Sequence, residues 1–407
     1  MKNNVLYISI TGMTEPLGRS QVLEYLIDLS HNTNVTLVSF ERSKDLSSIE
    51  EINTIVKKHG IQWHYLPYSN KFGLISSLFQ IMRSVLLGSK VIKSEKIQII
   101  HARSMIPAVI GIILKKLYKV KLLFDIRGFA IDEKVDSGRL KKNTPLYRML
   151  KYIDNHLYKH SDHVVTLTLV AKEILQKKLN ITENKITVIP TCVNKNIFKP
   201  LAIDEIYTLK KKLNYHPEND KVIIHTGTVS GWYDFEKEMI LVREMMNHDD
   251  NLHFIILNKN EHDYINDYLV NFRFPKNRVK VLSTSFNKVH KYLNIADASL
   301  FFIKSSYSKQ ASAPTKFAEN VACYLPSITN ENVGDMGYYI NQYDVGTAIY
   351  LDTFNKNITS TALDLLKNID HIKLNKKEYD KLIIEHFDKE IAVKKYSDIY
   401  DTLIGEN

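Results

Sequence analysis

A chain of 407 residues is too long for one ordinary hydrophobic core, so its length predicts two domains. Its 44% hydrophobic and 25% charged residues are typical of a globular protein and exclude a largely disordered chain. The net charge of +10 is concentrated between Lys57 and Lys151, where 19 basic residues stand against 5 acidic ones. Such a field suits an anionic membrane surface or a phosphorylated ligand, and a solvated lysine-rich face is the simpler alternative. The segment contains no RNA- or DNA-binding motif, so no nucleic-acid partner is expected.

The cysteines and the first residues indicate the compartment. Cys192 and Cys323 lie far apart with no metal-ligand spacing around them, which fits a reducing cytosol. The apolar run Val5–Ile10 is too short for a signal sequence or a membrane span, and it predicts a first β-strand. We therefore expect a cytoplasmic protein.

Short apolar runs alternate with helix-length segments through the first half of the chain. Strands are predicted at Val5–Ile10, Val35–Phe40, Ile61–Leu66, Ile97–His101, Lys121–Ile126, His163–Leu167 and Ile186–Ile189. Helices are predicted at Ser20–His31, Leu74–Ile92, Met105–Tyr118 and Leu146–His160. Strands separated by helices predict βαβ units and a parallel sheet covered on both faces.

The proline-bounded segment Pro190–Pro200 interrupts this alternation, so we place the inter-domain connection there. Further strands are predicted at Val222–Thr226, Leu252–Leu257, Val279–Leu282, Ser299–Ile303, Ser327–Thr329 and Gly346–Leu351. The pattern predicts an α/β protein with two Rossmann-like, doubly wound parallel-sheet domains facing across a cleft. The predicted domains are residues 1–195 and 196–385. Residues 386–407 contain a predicted helix that returns to the first domain.

The loop after the first strand contains Gly12 and Gly18 and leads to a helix predicted to begin at Ser20. Backbone N–H groups there could approach the phosphates of a donor, and a plain strand-to-helix turn is the alternative. The loop does not follow the GxGxxG pattern. No acidic residue is expected to end the second strand, where a dinucleotide-binding protein would hold a ribose.

A second constellation runs from Lys304 to Glu319 and follows a very apolar strand. Ser312 is predicted to cap a helix whose first turn tolerates Pro314, so that N–H groups after it face a diphosphate. Glu319 can accept hydrogen bonds from two vicinal hydroxyls of a ribose. The segment predicts a nucleotide-diphosphate site, and a capped helix with surface lysines is the alternative. The predicted free amides are those of Thr315, Lys316 and Phe317, and the lysines are Lys304, Lys309 and Lys316.

Five segments in this order resemble glycosyltransferase family 4 (group 1), and most closely its branch that builds bacterial surface polysaccharides. They read GMTEPLGRSQVLEYL, HARSMIPAVIG, FDIRGFAIDEKVDSG, VIPTCVNKNIF and SAPTKFAENVACYLPSITNENVGD. The resemblance extends from Gly12 to about Asp335, and its last segment is the most specific. It implies the GT-B fold, a nucleotide-sugar donor, retention of anomeric configuration and no obligatory metal. Consistently, the chain has no Asp-x-Asp triplet, and no cofactor is expected.

Carried over by position, the family's Glu-x7-Glu motif ends at Glu319, which implies that this residue binds the nucleotide ribose. The position of the first Glu is Ala311, so contact with the donor sugar is left to Lys309, Gln310 or Ser312. Many relatives hold the diphosphate with a Gly-Arg…Lys-Gly pattern after the first strand of the second domain. Here residues 225–233 lack both cations, and Lys304, Lys309 and Lys316 are the obvious substitutes.

Where relatives often carry a histidine near the anomeric centre, this chain has Arg127. A guanidinium is a poor general base but can hold a departing diphosphate through two hydrogen bonds. Arg127, Lys309 and Lys316 are therefore expected to stabilise the leaving group. His101 ends its strand at the same edge and is either a substrate contact or structural. The acidic candidates for binding acceptor hydroxyls are Glu15, Asp125, Asp132, Glu133 and Asp136.

The residues and the resemblance together predict a retaining, metal-independent glycosyltransferase of capsule, O-antigen or exopolysaccharide synthesis. Its acceptor is expected to be a saccharide, free or linked to polyprenyl diphosphate. The alternatives are a nucleotide-sugar epimerase or phosphorylase of the same fold and a non-catalytic scaffold of polysaccharide assembly.

The apolar stretches at Lys71–Leu87 and Ile106–Leu117 lie within the basic region. Both can be crossover helices covering a sheet. The alternative is an interfacial patch that attaches the protein peripherally to the anionic inner face of the cytoplasmic membrane.

Overall fold

The computed structural model describes residues 2–42, 46–68, 74–354 and 357–405. The chain divides into two compact units. The first comprises Met1–Pro190, Tyr307–Ser312 and Lys389–Asn407, and the second comprises Thr191–Ser306 and Ala313–Asp388.

The first unit is built on a seven-stranded sheet with the order β3-β2-β1-β4-β5-β6-β7. Its strands are β1 Asn3–Ser9, β2 Thr33–Glu41, β3 Gln62–Pro67, β4 Ile99–Arg103, β5 Lys121–Asp125, β6 His163–Thr166 and β7 Ile186–Val188. Every neighbouring pair is parallel. The strand order reverses between β1 and β4, as in doubly wound folds, where ligands bind outside the carboxyl ends of the strands.

Helices connect these strands. They are α1 Pro16–Gly18, α2 Glu24–Leu29, α3 Leu46–Lys58, α4 Leu74–Ser94, α5 Met105–Tyr118, α6 Ala130–Asp136, α7 Pro145–His160 and α8 Leu169–Leu179. A π-helical turn, Arg19–Leu23, joins α1 to α2. The prediction that the first helix begins at Ser20 is wrong, because Pro16 already occupies a first helical position, where its missing N–H costs nothing.

The second unit is built on a six-stranded parallel sheet with the order β10-β9-β8-β11-β12-β13. Its strands are β8 Lys221–Thr226, β9 Leu252–Leu257, β10 Val279–Leu282, β11 Ala298–Leu300, β12 Ser327–Asn330 and β13 Gly346–Ile349. Its helices are α9 Ile203–Lys212, α10 Phe235–His248, α11 His262–Asn271, α12 Val289–Ile295, α13 Thr315–Ala322, α14 Met336–Tyr343, α15 Ile358–Leu374 and α16 Lys376–Leu382. The predicted α/β fold with two parallel sheets is confirmed.

Alternating side chains explain why the strands of the second unit read as unbroken apolar runs. Ile224 and Phe301 pack into the core on one face of the sheet. Ile223 and Phe302 pack into the core on the other face. Because both faces are covered by helices, neither set can be polar. Polar side chains are therefore left for the loops at its carboxyl edge.

The C-terminal helix α17 (Lys389–Gly405) belongs to the first unit. It buries Tyr396 and Tyr400, and Asn3 donates a 2.7 Å hydrogen bond to Asp401 on this helix. The last helix therefore completes the packing around the first strand of the chain.

Candidate functional site

The carboxyl edge of the second sheet brings together two segments at its switch point. The loop after β8 contains Gly227, and α13 follows β11, which is the neighbour of β8 in the sheet. Gly227 has a φ of +90°, a backbone conformation that favours glycine. A Cβ atom at this position would lie 3.8 Å from Nζ of Lys316, so the loop backbone at Gly227 lies beside the ammonium group.

Lys316 holds its ammonium group in a buried aromatic setting. The residue is only 7% exposed, and Nζ lies 3.9 Å from the ring centroid of Tyr233 and 5.2 Å from that of Phe301. Tyr233 is fixed by an isolated β-bridge to Ile303, which follows β11 in the chain. Within the described residues Nζ of Lys316 has no hydrogen-bond partner. Since a buried ammonium group is costly to leave unpaired, the site is suited to an anion.

Glu319 lies one helical turn after Lys316 and is half-buried. Burial raises the pKa of its carboxyl group to about 7, against the lowering effect of the Lys316 charge. The carboxyl group is therefore poised between neutral and ionised forms near neutral pH. Positions three apart on a helix share one face, so the cation and the carboxyl group are presented together.

The beginning of α13 differs from the prediction in two respects. The N-cap is Pro314, whose side chain has no atom that can accept a hydrogen bond from the first turn, so the prediction that Ser312 caps the helix is wrong. The amide of Phe317 donates to the carbonyl oxygen of Pro314 at 3.1 Å, so it is not free as predicted. The helix begins at Thr315, and its first free amides are therefore those of Thr315 and Lys316.

The loop after β8 is held in place by polar side chains that the sequence analysis did not single out. Asn258 donates to the carbonyl oxygen of Gly227 at 2.9 Å. Glu261 accepts hydrogen bonds from the amides of Val229 and Ser230. Asn258 follows the apolar strand β9 directly, and this position after a strand was the available signal.

A buried pair of side chains, His225 and Glu238, holds the same loop in place. His225 Nδ1 lies 2.6 Å from a carboxylate oxygen of Glu238, and Nε2 lies 3.0 Å from the carbonyl oxygen of Thr228. The second carboxylate oxygen of Glu238 accepts from the amide of Phe302 at 3.0 Å. The pair thus ties the loop after β8 to the strand segment that leads toward α13.

The three lysines predicted to replace the family's cations occupy different settings. Lys304 is exposed, and its ammonium group donates to the carbonyl oxygen of Gly231 at 3.0 Å. Lys309 belongs to the first unit, where it is buried and pairs with Glu133 at 3.0 Å. Of the three, only Lys316 combines burial with the lack of a hydrogen-bond partner in the described chain.

In the first unit, predicted site residues converge on a buried network around Asp125. Its carboxylate lies 3.5 Å from His101 and from Arg127, and 3.6 Å from Arg103. Tyr396 of α17 donates to it at 3.2 Å. The network lies at the carboxyl ends of β4 and β5, where Arg103 and Asp125 are paired in register.

The charges of this network fix its protonation. Burial alone would raise the pKa of Asp125, but the Arg127 charge, the His101 hydrogen bond and the Arg103 charge outweigh it and lower the pKa to about 2. Burial lowers the pKa of His101, whose Nδ1 lies 2.7 Å from the Tyr400 hydroxyl. His101 and Asp125 are each 1% exposed, whereas the Arg127 side chain is 18% exposed. Of His101, Asp125 and Arg127, Arg127 is therefore the most exposed to solvent.

The loop after β1 is already occupied by carboxylates. The Glu41 carboxylate accepts from the amides of Met13 at 2.8 Å and Thr14 at 3.1 Å, and Glu15 accepts from the amide of Gly12 at 3.3 Å. β2 ends at Glu41, so the prediction that no acidic residue ends this strand is wrong. The strand extends one residue beyond its apolar run because these hydrogen bonds satisfy the buried Glu41 carboxylate.

The two glycines of that loop are explained by close packing. A Cβ atom on Gly18 would lie 1.9 Å from the carbonyl oxygen of Gly12, and one on Gly12 would lie 2.6 Å from Glu41 Oε2. Glu15 also pairs with Arg42 at 2.6 Å. The predicted phosphate-binding amides thus have carboxylate partners in this structure.

A cavity of about 380 Å³ lies beside α6, α7 and α8 of the first unit. Phe129 and Tyr307 stack in its wall, with ring centroids 5.7 Å apart. Asp132 pairs with Lys151 at 2.6 Å, and Lys178 donates to the Tyr307 hydroxyl at 2.8 Å. Aromatic faces beside paired charges suit a ligand with hydroxyl groups and apolar ring faces, such as a saccharide. Its polar lining also includes Asp136, Lys142, Tyr147 and Asn155.

Two further findings bear on metal and membrane chemistry. Among residues 2–42, 46–68, 74–354 and 357–405, no three His, Cys, Asp or Glu side chains are grouped to hold a metal ion. In the described part of the chain, no helix is long and apolar enough to cross a membrane.

Comparison with known proteins relates this geometry to a family. Residues 22–196 match the model of Glycosyltransferase Family 4. A UDP-Gal:alpha-D-GlcNAc-diphosphoundecaprenol alpha-1,3-galactosyltransferase from Escherichia coli is 25% identical over 367 residues, which cover 87% of this chain and 89% of that protein.

Two solved structures have the same fold. A glycosyltransferase from Rickettsia africae superposes with a TM-score of 0.72 at 18% identity over 100% of both chains. The HepE protein from Anabaena, solved with UDP and glucose, superposes with a TM-score of 0.69 at 13% identity over 98% of this chain and 99% of that one. The predicted GT-B fold is confirmed, and the predicted resemblance to the family is confirmed over residues 22–196.

Proposed function

We propose that the chain is a glycosyltransferase of the family-4 type, which transfers a hexose from a UDP-linked donor to a saccharide on a polyprenyl diphosphate. The Escherichia coli relative, whose name specifies UDP-galactose and a diphosphoundecaprenol-linked acceptor, supports this choice of substrates. The product would serve the synthesis of a bacterial surface polysaccharide.

The observation that carries the proposal is the buried ammonium group of Lys316, which lies beside Gly227 and has no hydrogen-bond partner in the described chain. A diphosphate placed there would receive the charge of Lys316 and the free amides at the start of α13. Glu319, on the same helix, would accept hydrogen bonds from the ribose hydroxyls. One helix then holds two parts of the nucleotide: its first turn and Lys316 bind the diphosphate, and Glu319 binds the ribose.

We propose that transfer retains the anomeric configuration and needs no divalent metal. Breaking the glycosidic bond leaves negative charge on the diphosphate, and preorganised cations stabilise that charge without reorganisation. Lys316 and Arg127 are assigned to this role. The departing diphosphate would accept the proton of the acceptor hydroxyl, because neither cation can act as a base at neutral pH. The step forms one glycosidic bond, breaks one, and moves one proton to the leaving group.

We assign the cavity beside α6 and α7 to the acceptor. Its volume of about 380 Å³ is sufficient for one or two sugar rings, and Asp132 supplies a carboxylate for their hydroxyls. Its lysines Lys142, Lys151 and Lys178 offer positive charge for the diphosphate of a lipid-linked acceptor. Glu133 and Lys309 form a neighbouring ion pair that fixes the segment entering the cavity.

The deciding experiment incubates the purified protein with UDP-hexoses, with and without a polyprenyl-diphosphate-linked N-acetylhexosamine. We expect UDP release and a product one hexose heavier only when the acceptor is present, with an α linkage from an α-linked donor by NMR. Conversion of the donor without acceptor would favour an epimerase of the same fold. Tight UDP binding without turnover of any donor would favour a scaffold.

We further propose that the reaction takes place in the cytoplasm at the inner face of the membrane, where a lipid-linked acceptor is anchored. The basic first half of the chain supports this location, because anionic lipid attracts lysine and arginine.

A further inference from the structure

Strand β3 forms an open edge of the first sheet, where its only hydrogen-bonded neighbour among the described strands is β2. It has six residues, contains no Asp, Glu, Lys or Arg, and leaves Tyr65 49% exposed. Edge strands of natural proteins are usually kept from pairing with other chains by a short length or by a charged side chain. The other sheet edges have this protection, since β7 and β13 have three and four residues and β10 contains Lys280. The edge of β3 has neither device.

The direction of the backbone groups of β3 follows from one hydrogen bond at its end. The amide of Tyr68 donates to the carbonyl oxygen of Glu41 on β2 at 2.9 Å. Successive residues of a strand direct their N–H and C=O groups alternately to its two edges. Residues an even number of positions from Tyr68 therefore bond to β2, whereas Trp63 and Tyr65 direct their N–H and C=O groups to the open edge. The chain thus offers two donors and two acceptors in the middle of this edge.

The two positions that flank this pair on the open edge have no N–H to offer. The amide of Ile61 already donates to the carbonyl oxygen of Val56 at 2.9 Å, and Pro67 has no N–H group. In an antiparallel pair of strands, such edge-directed residues exchange two hydrogen bonds with the residue directly opposite. A strand that pairs here is therefore held in register by the N–H and C=O groups of Trp63 and Tyr65.

We propose that β3 pairs antiparallel with β3 of a second copy of the chain, about a twofold axis at His64. Trp63 of each copy then lies opposite Tyr65 of the other, and the two pairs exchange four hydrogen bonds. This register satisfies every N–H and C=O group of both residues. A shift by two residues would leave one of their carbonyl groups opposite Ile61 or Pro67, which have no N–H to donate. The two seven-stranded sheets thereby form one continuous sheet.

The side chains of β3 favour this partner over an unrelated strand. Trp63 and Tyr65 share a face, and their ring centroids lie 5.0 Å apart. Pairing with a second copy places the two rings of each chain opposite those of the other, and aromatic pairs across strands stabilise a sheet. A contact between identical surfaces about a twofold axis is complete with two copies, so it gives a dimer and not a fibre. The dimer is independent of the proposed function, because β3 contributes no residue to the proposed donor or acceptor sites.

A cysteine at the axis tests the register. Opposite residues that are not hydrogen-bonded to each other have Cα atoms about 4.5 Å apart, which suits a disulfide. Under mild oxidation we expect His64→Cys to form an intermolecular disulfide, measured as a dimer on a non-reducing gel. Gln62→Cys is the matched control, because residue 62 of one copy lies opposite Leu66 of the other and should not crosslink. Cys192 and Cys323 are buried, so the wild-type chain gives the background.

A charge exchange at the same position tests the twofold pairing in solution. Sedimentation velocity of the wild-type chain should show a dimer whose fraction rises with concentration up to about 100 µM. His64→Glu and His64→Lys should each dimerise at least about tenfold more weakly, because like charges then lie directly opposite each other. An equimolar mixture of the two variants should recover the dimer, since opposite charges then meet at the axis. His371→Glu on α15, which changes an exposed histidine of the second unit, is the control and should sediment like the wild type.

Three results would overturn the proposal. One is a wild-type chain that stays monomeric at about 100 µM. Another is a dimer that His64→Glu and His64→Lys each retain, which would place the contact elsewhere on the chain. The third is equal crosslinking of His64→Cys and Gln62→Cys. Thermal stability, measured on every variant, separates loss of the contact from misfolding. Turnover is not among these measurements, so failure of the proposed function would leave the result on the dimer intact.

Discussion

The ammonium nitrogen of Lys316 lies 3.9 Å from the centre of the Tyr233 ring, and this contact joins the first turn of α13 to the loop after β8 at the switch point of the second sheet. The face of an aromatic ring attracts a cation, and this partly offsets the cost of burying it. The ring also holds Nζ in place without occupying it with a hydrogen bond. An arriving diphosphate therefore meets a cation that is already positioned, so little ordering cost accompanies binding.

Replacing Lys316 by Met should selectively weaken binding of the diphosphate. A hydrogen bond to a charged group contributes about 1.5–3 kcal/mol, so we expect UDP affinity to fall roughly 10- to 150-fold. Uridine lacks the phosphates, and its weaker binding should be nearly unchanged. Calorimetric titration with both ligands measures the difference. Equal losses for UDP and uridine would show that Lys316 supports the fold of the site and not the phosphates.

Two controls accompany this variant. Lys367→Met removes an exposed lysine of the same unit and should leave UDP affinity intact. Tyr233→Phe keeps the ring and should bind UDP nearly as the wild type does, whereas Tyr233→Leu should bind several-fold more weakly, since a cation over an aromatic ring is stabilised by about 0.5–2 kcal/mol.

Glu319→Gln should weaken binding of every ligand that carries the ribose. The neutral amide accepts hydrogen bonds less strongly than a carboxylate, and we expect a loss of about 1–3 kcal/mol for both UDP and the intact donor. 2′-Deoxy-UDP, which lacks one of the two vicinal hydroxyls, should bind the wild type more weakly and show a smaller loss in the variant. Unchanged dissociation constants for UDP and donor would remove Glu319 from the site.

The raised pKa of Glu319 also predicts how stability depends on pH. Its pKa is about 7 in the folded chain and 4.5 ordinarily, so the unfolded state ionises first as pH rises. Between these values the wild type loses stability, and above about pH 7 the loss is complete. Glu319→Gln should thus be more stable than the wild type at about pH 8, by roughly 1–3 kcal/mol, and equally stable near pH 4. Denaturant titrations at both pH values measure this difference.

The strands could be predicted from the sequence because buried parallel strands are short apolar runs between helices. Val222–Thr226 and Leu252–Leu257, for example, coincide with β8 and β9 to within one residue. The end of β2 was missed because Glu41 is polar. Only the folded loop shows that the amides of Met13 and Thr14 satisfy its carboxylate.

Only the part of the site that lies on a single helix, α13, could be predicted from the sequence. Lys316 and Glu319 are one turn apart in sequence, and their types suggest a diphosphate and a ribose. Tyr233 was missed as a functional residue because its contact with Lys316 joins positions far apart in the chain. The setting of Lys309 could not be predicted for the same reason, because only the structure shows its ion pair with Glu133.

Activity should be independent of divalent metal ions. If Lys316 and the free amides of α13 neutralise the diphosphate, a metal has no charge left to compensate. We expect turnover after dialysis against EDTA to equal turnover in Mg²⁺ or Mn²⁺, apart from a modest ionic-strength effect. Complete loss in EDTA with recovery on adding either metal would contradict the assignment of Lys316.

The cavity of the first unit predicts a variant with a selective effect on the acceptor. Asp132→Asn should raise the KM for the acceptor about tenfold, because a neutral amide binds hydroxyl groups more weakly, and should leave UDP affinity unchanged. Asp132 pairs with Lys151, so a matched control is Asp162→Asn, which removes a similar pair with Lys115 outside the cavity. A KM that rises equally in both variants would trace the effect to lost ion pairs.

Arg127→Lys should lower kcat by about 100-fold, the usual cost of removing one donor that stabilises a developing oxyanion. The lysine keeps the charge but not the planar pair of donors, so UDP affinity should change little. An unchanged kcat would exclude Arg127 from the reaction.

Arg127→Met tests how much the same residue contributes to the stability of the fold. Arg127 is the first of the groups that hold the pKa of Asp125 at about 2 against the effect of burial. A carboxyl group with a lowered pKa contributes stability above its unfolded pKa of about 3.9, and this contribution is lost as pH falls toward about 2. The variant should therefore be less stable than the wild type at about pH 7, by roughly 1–3 kcal/mol, and this difference should shrink as the pH falls below about 4. Urea denaturation across this pH range measures the difference in free energy of unfolding between the two proteins. A difference that stays constant down to about pH 2 would show that it comes from lost packing of the arginine and not from Asp125.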